Sequence, residues 1–387
     1  MNIVVAHEAI DGAGGVETYL TSVIPALQAR GHRVAVLFHH GRRGMQVTPD
    51  LFVSVQEQGF DGAFGALRKW GAEVCFSHNM APLDVERRAI AEWPVVKMMH
   101  GYFGTCVGGS KSHSFPTVHA CDRVLGAGCV ALYLPRRCGQ LHPAKLLNGY
   151  RWAAAQRSLF SRYAAVVVPS AHMGREYSRH GVARDRLNVL PLFSTLMAPA
   201  EASQGDAVLF AGRMTKLKGG DVLIRAMVEV TRHTRRAVPL IMAGAGPQKA
   251  EWQRLAESLG VAAEFPGWVE GSDRLALFRR ASLLVVPSLW PEPFGLVGLE
   301  AGACGVPAIA FDVGGIREWL RHELNGRLVR PSDGATGLAA AIRGLLDDTG
   351  RRWRMGNAAR EIAQQMSLDT HIASIEHVLG QAMATPK

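Results

Sequence analysis

Residues 287–320 read PSLWPEPFGLVGLEAGACGVPAIAFDVGGIREWL, and this stretch decides how the rest of the chain is understood. Pro291 and Pro293 hold the segment out of a helix, because proline lacks the amide donor that a helix interior requires. The apolar spacing from Phe294 onward predicts a short helix ending near Gly305, with Glu292 just before its start and Glu300 in its second turn. Were the region helical throughout, the two carboxylates would stand about 12 Å apart along the axis. That is roughly the reach from a sugar hydroxyl, past a diphosphate, to a ribose. The amides of Phe294, Gly295 and Leu296 would face the anionic middle of such a ligand, and Gly295 would let the backbone come close.

Outward from this stretch, short runs of Val, Ile, Leu and Ala alternate with helix-length amphipathic segments, the pattern of parallel sheets covered by helices. In the first half, strands are predicted near 2–6, 33–38, 73–77, 95–99, 165–169 and 188–192. In the second they fall near 207–211, 239–243, 283–287, 307–311 and 326–330. Each half has an apolar strand closing in Pro-Ser, at Ser170 and at Ser288, a weak internal echo that favours two similar domains over one large sheet. The small, polar segment 194–206 is the expected linker. The expectation is an α/β chain with Rossmann-like doubly wound domains at 1–195 and 196–365, and a C-terminal helix at 366–387 packing back on the first. Ligands gather at the carboxyl ends of such strands, so the chemistry is expected in a cleft between the domains.

A chain of 387 residues suits two domains. Its 48% apolar content excludes disorder as the default. No apolar run approaches the roughly 18 residues that a bilayer span needs. The opening MNIVVAHEAI lacks the basic region of a signal peptide, which predicts a cytoplasmic protein. Six cysteines in such a chain form no disulfide framework.

The net charge of +10 is uneven: residues 1–195 carry 21 basic against 13 acidic side chains and residues 196–387 carry 22 against 20, so +8 and +2. Residues 97–162 hold nine basic side chains and one acid, Asp122. Such a field attracts phosphates, anionic lipid headgroups or nucleic acid, and a solvated basic face without a partner is the alternative. The same region contains Cys106, Cys121, Cys129 and Cys138 beside His113 and His119. Without a C-x-x-C pair, buried free thiols in a helical insertion are favoured over a zinc site.

Glu292 and Glu300, with PFGLVGLE spanning the second of them, resemble the E-x7-E motif of the retaining glycosyltransferase family 4. The resemblance implies a GT-B fold with a nucleoside-diphosphate sugar, GDP- or UDP-linked, held mainly by the second domain. Upstream, LFAGRMTKLKGGDVLIRAM is similar to the family's donor-phosphate segment, with Gly212, Arg213 and Lys218. Arg213 can grip phosphate oxygens in two places and Lys218 adds a point charge, so a leaving diphosphate is neutralised without a metal ion and no cofactor is expected. IMAGAGPQKAEW resembles the family's Gly-x-Gly-Pro turn through Gly244 and Gly246, although any tight strand-to-helix turn favours glycine. The resemblance places the backbone at Trp268 and Val269 against the nucleotide base; an edge strand with a partly buried Trp is the alternative.

In the first half, GAGGVETYL sets Gly14 and Gly15 before a helix. The third glycine and the strand-end acid of a nicotinamide-binding fingerprint are missing. By resemblance Gly15 brings its amide to the donor, and His100, after the strand VVKMM, contacts the transferred sugar. The family relation implies transfer with retention, with Glu292, His100, Arg213 and Lys218 as the catalytic set. No third carboxylate offers an obvious nucleophile, so front-face attack is expected in place of a glycosyl-enzyme. A glycan or lipid-linked acceptor is expected, at an anionic membrane surface on the cytoplasmic side if lipid-linked, in polysaccharide or glycolipid synthesis. A same-fold epimerase or hydrolase and a non-catalytic nucleotide-sugar binder remain as alternatives. Nucleic acid is not an expected partner, since the basic half has no aromatic-basic motif.

Overall fold

A computed structural model describes residues 1–9, 15–40, 47–194, 196, 205–234, 237–269 and 271–384. The chain divides into two compact units: Met1–Lys111 with Asp122–Pro191 and Leu368–Lys387, and Ser112–Cys121 with Leu192–Ser367.

The first unit is built on β1 (Asn2–Ala9), β2 (Arg33–His40), β3 (Leu51–Ser54), β4 (Val74–Ser77) and β5 (Val95–Met98). In chain order a hairpin of two-residue arms, β6 (Ser112–His113) and β7 (His119–Ala120), which belongs to the second unit, comes before β8 (Ala165–Val168) and β9 (Leu187–Val189). The seven-stranded sheet runs β3-β2-β1-β4-β5-β8-β9, parallel throughout. Ile3, Val4, Val5, Val34, Val36, Val166 and Val167 are fully buried, because helices cover both faces and leave no solvated side for alternation to mark. The covering helices are α1 (Gly15–Ala29), α2 (Val55–Trp70), α3 (Leu83–Glu92), α4 (Ala127–Tyr133), α5 (Pro143–Ser158) and α6 (Ala171–Arg179). Their starts follow capping chemistry: the Ser54 hydroxyl accepts the Glu57 amide at α2, and Ser170 accepts that of Met173 at α6.

The second unit repeats the plan with α7 (Gly220–Thr234), α8 (Lys249–Ser258), α9 (Gly271–Arg280), α10 (Val297–Ala303), α11 (Gly334–Leu346) and α12 (Thr349–Gln365). Its strands are β10 (Ala207–Ala211), β11 (Leu240–Ala243), β12 (Ala263–Gly267), β13 (Ala281–Val286), β14 (Ala308–Phe311) and β15 (Gly326–Val329). They run β12-β11-β10-β13-β14-β15, all parallel, which is the Rossmann order with its reversal between β10 and β13. The last helix, α13 (Leu368–Ala384), lies in the first unit, where it packs on α1.

Every strand expected from the sequence is present to within a few residues. β3 and the small hairpin have no counterpart in the sequence reading, and β12 is the edge strand that stood there as the alternative before Trp268. β3 has four residues, and β12 (AEFPG) contains a proline and no apolar run. The helix expected from Phe294 to Gly305 is confined to Val297–Ala303, because Gly295 adopts φ 87° and holds Phe294 and Gly295 outside it. The chain between Glu292 and Glu300 is therefore not helical throughout, and the axial spacing of about 12 Å does not apply.

Candidate functional site

The reversal between β10 and β13 is where a doubly wound sheet opens a crevice at its strand ends. Three strand ends are laced there by backbone hydrogen bonds. The Gly212 amide donates to Ala243 O (3.0 Å), Met214 N to Ala245 O (2.8 Å) and Gly244 N to Gly267 O (2.7 Å). A Cβ on Gly244 would lie 2.0 Å from Gly212 O, and one on Gly246 would lie 2.4 Å from Met214 O, with φ of 135° and 150° at the two glycines. Both positions are thus required by close backbone approach. The lacing leaves Arg213 exposed, and its guanidinium takes no ion pair among the described residues. Trp268 follows the edge strand β12 and is 53% exposed, so its side chain is not the partly buried one weighed from the sequence; Val269 beside it is half-buried.

Glu292 lies in the proline-held segment that follows the end of β13. Its carboxylate is buried, and Oε1 accepts from Lys218 Nζ at 2.6 Å and from the Ser288 hydroxyl. Lys218 sits in a single 3-10 turn, Lys216–Lys218, that ends at Gly219 in the left-handed region. There a Cβ would lie 2.0 Å from Pro287 O, so the Lys218 turn is seated directly on the loop that carries Glu292. The Nζ also stands 5.5 Å from the centroid of the Trp290 ring. A cation and a buried carboxylate are held as one unit at the strand ends.

Glu300 is buried in the first turn of α10 and is paired with Arg274 of α9. Burial pushes its carboxyl above the usual range, and Arg274 opposes that shift. Trp319 supports this helix from below. Its indole donates to Phe294 O at 2.8 Å, and a Cβ on Gly298 would lie 2.2 Å from its ring. The amides of Phe294, Gly295 and Leu296 donate to no acceptor among the described residues.

In the first unit, the ends of β1, β4 and β5 bring His7, His78 and His100 together. His78 Nδ1 lies 3.0 Å from His100 Nε2, and the Tyr19 ring packs edge-on to His100 at a 5.2 Å centroid distance. Tyr19 OH donates to His371 Nε2 (2.8 Å), because His371 Nδ1 must carry the proton that it gives to the Pro191 carbonyl (2.8 Å). Burial holds these imidazoles neutral: His100 is pushed down to about 3, His371 to about 4, and His78 well below its usual value. Gly15 opens α1 with nothing within 4 Å of a Cβ placed on it; Gly14 lies outside the described residues.

The basic stretch is smaller at the surface than its residue count. Lys97 is buried against Glu86, with Ser77 and Tyr163 also bonding that carboxylate, and Lys111 is buried against Glu176 at 2.8 Å. Seven of the nine cations therefore remain to face solvent or line the fold. Cys106, Cys121, Cys129 and Cys138 are half-buried free thiols, not fully buried ones, in a region where α4 is short and turns dominate. Among the described residues no three His, Cys, Asp or Glu side chains come together as a metal site.

Residues 14–192 match the family model "Glycosyl transferase 4-like domain", and residues 198–362 match "Glycosyl transferases group 1". The chain belongs to glycosyltransferase family 4, with the GT-B fold. Among relatives of this family member, an uncharacterized glycosyltransferase of Methanocaldococcus jannaschii is 36% identical over 42% of this chain and 41% of its own length. A D-inositol 3-phosphate glycosyltransferase of Salinispora arenicola is 38% identical over 47% of this chain and 42% of its own. The chain thus matches under half the length of these relatives. Similar solved folds include sucrose-phosphate synthase of Thermosynechococcus elongatus (TM-score 0.71, 22% identity, 99% of each chain) and Anabaena HepE in complex with UDP and glucose (0.70, 19%, 98% and 99%).

Three side chains that partner the expected site residues escape a reading of sequence: Ser288 on Glu292, Arg274 on Glu300 and His78 on His100. Ser288 repeats the Pro-Ser of Ser170, yet Ser170 caps a helix and Ser288 binds Glu292, a difference that the dipeptide does not carry. Arg274 is one of several charges on a surface helix, and its link to Glu300 spans 26 positions. His78 follows the predicted strand at 73–77 just as His100 follows that at 95–99, and this shared placement was the available signal.

Proposed function

We propose that this chain is a retaining hexosyltransferase that moves a sugar from a UDP- or GDP-sugar to a glycan or lipid-linked acceptor, in polysaccharide or glycolipid synthesis. The observation that carries the proposal is the buried Glu292 carboxylate joined to Lys218 at the sheet's reversal point, with the exposed Arg213 in the same loop after β10 as Lys218. Hydrogen-bond acceptors for sugar hydroxyls and cations for a diphosphate occur there together. In the proposed reaction the acceptor oxygen forms a bond to the anomeric carbon as the bond to the phosphate oxygen breaks. The acceptor proton passes to that phosphate oxygen. Arg213 and Lys218 stabilise its developing charge, and no metal ion is needed. Glu300 would take the ribose, Gly14, Gly15 and His100 the reacting end, and Trp268 and Val269 the base.

The Anabaena fold relatives solved with UDP support UDP-sugars as the first donors to test. A location in the cytoplasm or at the membrane's inner face is part of the same proposal. No helix among the described residues is long and apolar enough to cross a membrane. The test is a thermal-shift screen over nucleoside-diphosphate sugars, followed by an assay for acceptor-dependent release of the nucleoside diphosphate. Stabilisation by one donor, with release that requires acceptor and is lost in Glu292→Ala, is expected. Release without acceptor would make the chain a hydrolase, and binding without turnover would make it a binding module.

A further inference from the structure

Of the twelve large apolar side chains exposed among the described residues, five fall within residues 124–147: Val124, Val130, Leu134, Leu141 and Leu147. Leu141 and Leu147 are the most open of these, at 59% and 53%. They lie in and around α4, the turn after it and the first turns of α5, two helices that pack on each other in the first unit. Scattered exposed leucines need no explanation, but a cluster of them in one supersecondary unit does.

The same unit has a distinctive charge pattern. From Arg123 to Arg175 the sequence contains eight basic residues and no acid. Arg123, Arg137, Lys145 and Arg151 are exposed. On α5, Leu147 and Arg151 stand one turn apart on the outward face, while Leu146 and Ala153 turn inward and are buried. A protein partner read by apolar contact alone would not require acids to be absent over this length. Apolar side chains interleaved with cations meet the two terms of an anionic bilayer surface, acyl chains below and phosphates at headgroup level.

We propose that the α4 to α5 unit is a docking surface for an anionic phospholipid membrane, with Leu141 and Leu147 entering the interface and Lys145 and Arg151 pairing with headgroups. The inference rests on the proposed lipid-linked acceptor for its purpose, since docking would bring such an acceptor to the first unit. Its test is independent of transfer.

The full chain is sedimented with vesicles of phosphatidylcholine alone, or of phosphatidylcholine with about a third phosphatidylglycerol, at low and at physiological salt. Binding to the anionic vesicles alone is expected, weakening with salt. It should fall at least about tenfold in Leu141→Ser/Leu147→Ser and again in Lys145→Glu/Arg151→Glu. Arg254→Glu, an exposed cation of the second unit, should change it little. All of these positions are exposed, and thermal shift by the nucleoside diphosphate should be equal in every variant. Equal binding to neutral vesicles, binding indifferent to both double variants, or a patch that instead mediates self-association or retains nucleic acid would overturn the proposal. Loss of docking with the nucleotide shift intact leaves the transferase reading standing. The converse result sinks that reading and spares this one.

Discussion

Lys218 Nζ stands 2.6 Å from Glu292 Oε1, so the cation expected to meet a phosphate is itself bound to the carboxylate expected to meet the sugar. Glu292 is almost wholly enclosed and Lys218 a quarter exposed. Removing the cation strands a buried charge that the Ser288 hydroxyl satisfies only in part. Lys218→Met is expected to lower stability by about 3 kcal/mol, and Lys218→Met/Glu292→Gln to recover most of it, because the glutamine carries no charge to strand. Urea unfolding of the two single variants and the double variant checks this. Additive losses would mean that the pair is not coupled.

Arg213 presents the opposite case. Its side chain is exposed and takes no ion pair among the described residues, so the folded state has little to lose with it. Arg213→Ala is expected to leave the unfolding midpoint within about 0.5 kcal/mol of the parent, while a charge-assisted bond to phosphate is worth about 1.5–3 kcal/mol. Nucleoside-diphosphate affinity should therefore drop by roughly tenfold or more, as read by calorimetry. Unchanged affinity would remove Arg213 from the donor site.

The contrast between these two cations marks what the sequence could disclose. Both follow β10 in a recognisable pattern, and apolar runs such as AVLFA and AVVVP announce their strands because parallel sheets bury both faces. Glu292 and Glu300 were legible through their prolines and spacing. Their partners were not: Ser288 and Arg274 act through tertiary proximity, and neither has a local pattern that separates it from a cap or a solvated charge. Lys97 and Lys111 are misleading for the same reason. Their burying carboxylates, Glu86 and Glu176, sit 11 and 65 positions away, so a count of charge along the chain places both on the surface.

The glycines separate structural demand from ligand demand. Gly244→Ala would set a methyl carbon 2.0 Å from the Gly212 carbonyl oxygen, a contact that only backbone movement can relieve. A loss above about 2 kcal/mol is expected, with weaker nucleotide binding as the laced loop shifts Arg213. Gly15→Ala meets nothing within 4 Å and lies in a helix, where alanine is the better former. Its stability should be unchanged or raised by up to about 1 kcal/mol. If Gly15 approaches the donor closely, turnover should fall nonetheless. Parallel melting curves and activity assays distinguish the two, and a Gly15→Ala enzyme that is both stable and fully active would exclude the close approach.

The buried histidines impose a sign on the pH dependence of stability. His371 is held at about 4 and His100 at about 3, both below the value near 6.5 of an unfolded chain. Between those limits the unfolded chain binds protons that the folded chain refuses. Stability is then constant above about pH 6.5 and falls as the pH drops, by about 1.4 kcal/mol per pH unit for each fully refused proton. His371 contacts Tyr19 and the Pro191 carbonyl, and a glutamine amide can serve both, donating to the carbonyl and accepting from the phenol. His371→Gln is therefore expected to match the parent near pH 8 to within about 1 kcal/mol and to lose stability less steeply below pH 6, by nearly one proton. Urea midpoints at pH 7.5, 6 and 5 decide it. An unaltered slope would mean that His371 is already protonated in the folded chain, and that the Tyr19 hydroxyl accepts from it.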